Sequence, residues 1–76
     1  MMNQLQEMGE RIKALREIEA LDPKTMAEKC EVRLDEYLAY EMGEKDFSFS
    51  FLYNAANVLG VDVLDLMSGD LLGWTH

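Results

Sequence analysis

The stretch Thr25–Gly43, TMAEKCEVRLDEYLAYEMG, decides how this chain is read. A short apolar-spaced segment around Met26, Ala27 and Cys30 gives way to a tight connection at Glu31–Val32. A second segment then runs from Arg33 or Leu34 to Met42 and stops at Gly43. Glycine suits the left-handed position that closes a helix, so Gly43 reads as a C-terminal stop. In the second segment Tyr37, Leu38 and Glu41 are expected to share one side. The layout is therefore helix, turn, helix.

The flanks continue the pattern. Leu5, Met8, Ile12 and Leu15 recur at three- and four-residue steps, predicting a first helix from about Leu5 to Ala20 with charges on its other face. Asp22-Pro23 opens the second helix. Aspartate is a strong N-cap, and proline fits the first helical position, where its missing N–H costs nothing. Leu21 and Met26 stand at hydrophobic-staple spacing, as do Phe47/Leu52 ahead of a fourth helix and Val61/Leu66 ahead of a fifth. The fourth helix starts at Ser48, buries Phe51, Leu52, Ala55, Ala56 and Leu59, and ends at Gly60. The fifth starts at Asp62, carries Val63, Leu66 and Met67, and stops at Ser68-Gly69. Caps and apolar spacing agree throughout, which predicts an all-α bundle of five helices.

Composition bounds the function. Seventy-six residues make one domain with a modest core, and 49% apolar content fits a globular chain rather than a disordered one. We expect the domain to span residues 5–69, with 70–76 as a C-terminal tail. Leu71, Leu72 and Trp74 make that tail either frayed or a docking surface for a second copy or domain. No apolar run approaches the ~20 residues of a membrane span. The N-terminal MMNQLQEMGERIK lacks the charged head and apolar block of a signal peptide. One cysteine suits a reducing cytoplasm, and Cys30 reads as a small core residue. The expectation is a cytoplasmic protein with no membrane association.

Seven basic residues against fifteen acidic give a net charge of −8. Such a balance repels polyanions at long range. Residues 31–46 hold six acids against Arg33 and Lys45, a local charge of −4. The one compact basic set, Arg11, Lys13 and Arg16, is surrounded by Glu7, Glu10, Glu17 and Glu19.

Catalytic and cofactor chemistry finds no footing. The only histidine is His76, so no histidine base or triad is available to the core. One cysteine and one distant histidine do not make a zinc site. The five glycines are scattered and form no phosphate loop. Asp35 and Glu36 are adjacent on a helix and point apart, which leaves a divalent-cation site there improbable. We expect no catalytic residue, no metal, no cofactor and no enzymatic activity.

Gly9–Glu17 (GERIKALRE), Met26-Ala27 with Val32, Tyr40–Gly43 (YEMG) and Phe51–Gly69 (FLYNAANVLGVDVLDLMSG) together resemble the lambda-repressor-like, XRE-type helix-turn-helix family over residues 8–69. The acidic third helix followed by FSFSFLY also looks like the N-terminal part of regulators that join this domain to a C-terminal cupin. The resemblance implies a compact five-helix DNA-binding domain with helices 2 and 3 as the helix-turn-helix. It implies a sequence-specific transcriptional regulator acting as a homodimer on double-stranded DNA, with the third helix in the major groove. It also implies a structural ion pair between Arg16 and Glu41.

The resemblance carries the base-reading positions onto Leu34, Asp35, Glu36 and Ala39 and includes Thr25 among the candidate DNA contacts; the cations near that face, Lys24, Lys29, Arg33 and Lys45, are the candidates for phosphate. Three positions depart from the family. Pro23 stands where relatives often place a phosphate-binding glutamine. Glu31 replaces the turn glycine, which predicts a distorted turn or a strained Glu31. Arg33 takes the place of an N-cap serine or threonine. Reading guanine requires Arg or Lys and reading adenine requires Asn or Gln, and neither pair is present among the base positions. The alternative is an acidic protein-interaction module on the same scaffold, meeting a basic protein partner and not binding DNA by itself.

Overall fold

In a computed structural model of the chain, residues 3–68 are described and form five helices in sequence order. They are α1 (Gln4–Ile18), α2 (Pro23–Lys29), α3 (Leu34–Glu41), α4 (Phe49–Leu59) and α5 (Val63–Ser68). Residues 69–76, which include His76 and the apolar tail, lie outside the described residues.

The predicted N-caps hold their helices by the expected bonds. Asp22 accepts the Thr25 N–H at 2.7 Å, Ser48 accepts that of Phe51 at 3.1 Å, and Asp62 accepts that of Leu64 at 2.8 Å. The Thr25 bond stabilises the Asp22 carboxylate and lowers its pKa. The start of α1 was not foreseen. Asn3 accepts the Gln6 N–H while the Gln6 side chain accepts the Asn3 N–H, a reciprocal capping box.

Four helices end in one device, a left-handed residue followed by a six-to-one hydrogen bond. Gly43 and Gly60 occupy it at φ 72 after α3 and α4, with Glu44 N–H donating to Ala39 O and Val61 N–H to Ala56 O. Ala20 and Glu31 occupy it at φ 57 and φ 63 after α1 and α2. Thus α1 ends at Ile18, two residues before the expected Ala20, because Ala20 has already turned left-handed. The Glu31 turn keeps its regular bonding, with Val32 N–H to Ala27 O at 3.0 Å, and the strain falls on Glu31 itself.

The core gathers Ile12 and Leu15 of α1, Met26 and Ala27 of α2 with Cys30, both tyrosines of α3, the broad face of α4, and Leu66. Tyr40 stacks between Phe51, at 4.0 Å between ring centroids, and Phe47, at 5.2 Å. This corrects the expected side of α3. Tyr37 and Tyr40 are the buried pair, whereas Leu38 faces out. Large stacked rings bury more apolar area than a leucine would, and α4 with the segment just before it supplies their partners.

Two buried arginines fix the arrangement. Arg11 Nη1 donates to the carbonyls of Leu66 at 2.8 Å and Met67 at 2.9 Å, capping the C-terminal end of α5 from α1. Arg16 joins α1 to α3. Of the basic set Arg11, Lys13 and Arg16, only Lys13 is at the surface. No helix of the described residues is long and apolar enough to cross a membrane.

Candidate nucleic-acid interface

The orientation of α3 is set from behind. Glu41 accepts Arg16 Nε at 2.7 Å and also the Tyr37 hydroxyl, and Arg16 Nη1 donates to Leu21 O at 2.8 Å. Burial works against the Arg16 charge, but Glu41 outweighs it and holds the pKa above the ordinary arginine value. Gly9 lets α1 come up against the end of α3. A Cβ there would stand 2.3 Å from Glu41 O, a distance no side chain tolerates. Backbone approach, ion pair and aromatic stack together leave α3 one place to sit.

Its outward surface carries two parallel rows at i, i+4 spacing. The first is Leu34, Leu38 and Met42, exposed by 41, 38 and 61%. The second is Asp35 and Ala39. Beside them stands Glu36, whose carboxylate accepts the hydroxyl of the buried Tyr40 at 3.0 Å.

The candidate cations beside this surface are held by its acids. Arg33 Nη2 lies 3.1 Å from Asp35 Oδ2, and Lys45 Nζ lies 3.2 Å from Glu36 Oε2 and over the Tyr40 ring. Lys45 and then Tyr40 lower the Glu36 pKa. Both pairs are substantially exposed, so each is weak and water competes for it. Arg33 provides no side-chain cap to α3, and Asp35 instead accepts the Glu36 N–H at 2.9 Å.

The other positions are not gathered on α3. Lys24 and Thr25 stand in the first turn of α2, where the Thr25 N–H is taken by Asp22. Lys29, at the end of α2, lines a groove with Glu19, Leu21 and Val58. Neither lysine forms an ion pair among the described residues. Sequence reading missed Leu38 and Met42 as surface residues. The signal was present, since Leu34, Leu38 and Met42 are four apart and Tyr37 and Tyr40 already fill the inner face.

A two-helix unit with the second helix held rigidly and its outer rows exposed defines a helix-turn-helix protein. The chain belongs to the helix-turn-helix domain family, whose match covers residues 9–71. Solved structures share the fold. The restriction-modification controller protein C.AhdI from Aeromonas hydrophila is 22% identical, with a TM-score of 0.78 over 82% of this chain and 94% of that one. The clp gene regulator ClgR from Corynebacterium glutamicum is 20% identical, with a TM-score of 0.80 over 93% of this chain and 96% of that one. A second ClgR structure gives a TM-score of 0.82 at 20% identity, over 93% of this chain and 79% of that one. No curated protein sequence matches.

Proposed function

We propose that the chain is a sequence-specific DNA-binding transcriptional regulator, or the DNA-binding domain of one. It works by binding and not by catalysis, as a homodimer on a two-fold symmetric site. The observation that carries this reading is the family match across residues 9–71, which includes α2, the turn and α3. In such units the second helix enters the major groove and the first crosses the phosphate backbone. Here Leu34 and Ala39 would meet thymine methyl groups, and Asp35 or Glu36 would accept from cytosine amino groups. Lys24, Thr25, Lys29, Arg33 and Lys45 are the candidates for phosphate.

Fluorescence anisotropy with randomised duplex DNA, in a salt series starting near ~20 mM, tests it. Binding in the micromolar range that weakens with salt supports the reading, because phosphate neutralisation releases counterions. A folded protein that binds no duplex at the lowest salt overturns it.

A second reading draws on the Arg33–Asp35 and Lys45–Glu36 pairs. They set one acid against each cation nearest α3, and Glu31, Glu44 and Asp46 beyond them keep its surroundings acidic, which favours a basic protein partner.

A further inference from the structure

We propose that the outer face of α3 docks a basic amphipathic helix of a protein partner, and that the docked helix excludes DNA. The docking deepens the basic-partner reading; the exclusion rests on the DNA reading of α3. Single exposed apolar residues are ordinary on a protein surface. Leu34, Leu38 and Met42 instead form a continuous row along one helix, each well exposed. At its Met42 end the row meets a groove of about 310 Å³, lined also by Gln6, Glu10, Lys13 and Glu41, between α1 and α3. A row leading into a groove is the surface that an amphipathic helix covers with i, i+3, i+4 and i+7 anchors.

Charge selects the occupant. Arg33 and Lys45 are matched by Asp35 and Glu36, so the excess charge around the row comes from Glu31, which precedes the helix, and from Glu44 and Asp46, which follow it. A second copy on this face is disfavoured, because a two-fold contact sets the same acids against each other. A partner helix with leucine-like anchors and Lys or Arg on its flanks buries the row and meets the acids.

The probe is a fluorescein-labelled Leu/Lys peptide of about 18 residues with leucines at helical spacing. Its control is a scrambled peptide of identical composition and charge. By anisotropy, the amphipathic peptide should bind at least about tenfold tighter than the scrambled one. Leu38→Glu combined with Met42→Glu should lower that affinity about tenfold. The added negative charge would strengthen a purely electrostatic complex, so a loss isolates the apolar contact. Leu64→Glu, at an exposed apolar position of α5, should leave the affinity unchanged. Equal binding of both peptides overturns the proposal, as does no binding of either, or an equal loss in the Leu64→Glu variant. Circular dichroism melting of each variant establishes that it is folded. Displacement of labelled duplex by unlabelled peptide supports exclusion, and a ternary complex overturns it. If duplex never binds, the DNA reading fails and with it the exclusion, while the peptide result still decides the docking.

Discussion

Arg16 of α1 and Glu41 at the end of α3 lie 2.7 Å apart with their side chains only 8 and 7% exposed. They are 25 residues apart in the chain, so the pair forms only when the bundle closes. Its surroundings complete it. Arg16 also caps Leu21 O in the turn between α1 and α2, and Tyr37 donates to Glu41. One guanidinium therefore ties α1, the following turn and α3. A buried pair adds little net stability over apolar residues, but breaking it strands a charge.

Glu41→Gln should thus destabilise the domain by about 3–5 kcal/mol, because Arg16 keeps its charge without a counter-charge. In a domain of this size that lowers Tm by about 12 °C or more. Arg16→Met should be comparably harmful. Combining Arg16→Met with Glu41→Gln should recover at least about 1.5 kcal/mol relative to the sum of the single effects, because no charge is then stranded. Thermal melts by circular dichroism measure all three. A single-variant loss under about 1 kcal/mol would show that the pair is wetter than its burial implies.

The turn before α3 makes the opposite prediction. Glu31 is exposed and sits at φ 63, where a Cβ clashes with the backbone. Glu31→Gly should raise stability by about 1 kcal/mol, and Tm by about 4–8 °C. Gly43→Ala should do the reverse. Gly43 shares the left-handed conformation, and a Cβ there would lie 2.7 Å from Gln6 Cα. Chemical denaturation of the two variants side by side decides it. An unchanged midpoint for Glu31→Gly would mean that the carboxylate compensates its strain.

Much of this was legible in the residues. Asp22, Ser48, Asp62, Gly43 and Gly60 act locally, within one turn of their own position, so their spacing announces the helix ends. Leu38 was misplaced because its burial depends on partners outside α3: Phe51 of α4 and Phe47 just before that helix hold the Tyr40 ring and turn Leu38 outward. The capping role of Arg11 was not legible because the carbonyls it caps lie 55 and 56 residues away. The acidity of the α3 region was visible in composition. Its pairing, Arg33 with Asp35 and Lys45 with Glu36, depends on side-chain directions that spacing does not specify.

Those pairs set an expectation for DNA. Asp35→Asn with Glu36→Gln removes two negative charges and releases Arg33 and Lys45. Non-specific duplex affinity at low salt should rise about tenfold or more. The slope of log K against log salt should steepen by up to about one unit for each released cation that reaches a phosphate. Arg33→Ala in the same background should remove about one unit again. A salt slope unmoved by the double change would place the phosphate contacts elsewhere, at Lys24 and Lys29.

Alkaline pH should unfold the domain by a route that two buried groups define. Burial pushes the Cys30 thiol from 9.0 up to about 11. Burial, reinforced by Glu41, raises the Tyr37 hydroxyl far above its ordinary 10.0. Both folded-state pKa values are raised, so the native state holds protons that the unfolded chain releases. Their stabilisation is complete below pH 9 and is lost as the pH climbs. Above about pH 9 stability should fall with a slope approaching ~1.4 kcal/mol per pH unit from the thiol alone, and about twice that once unfolded tyrosine ionises. Cys30→Ala should delay the onset to about pH 10, at a lower overall stability, because only tyrosine then distinguishes the two states. Urea titrations at successive pH values measure this directly. A Cys30→Ala profile that still declines from pH 9 would assign the loss to another group.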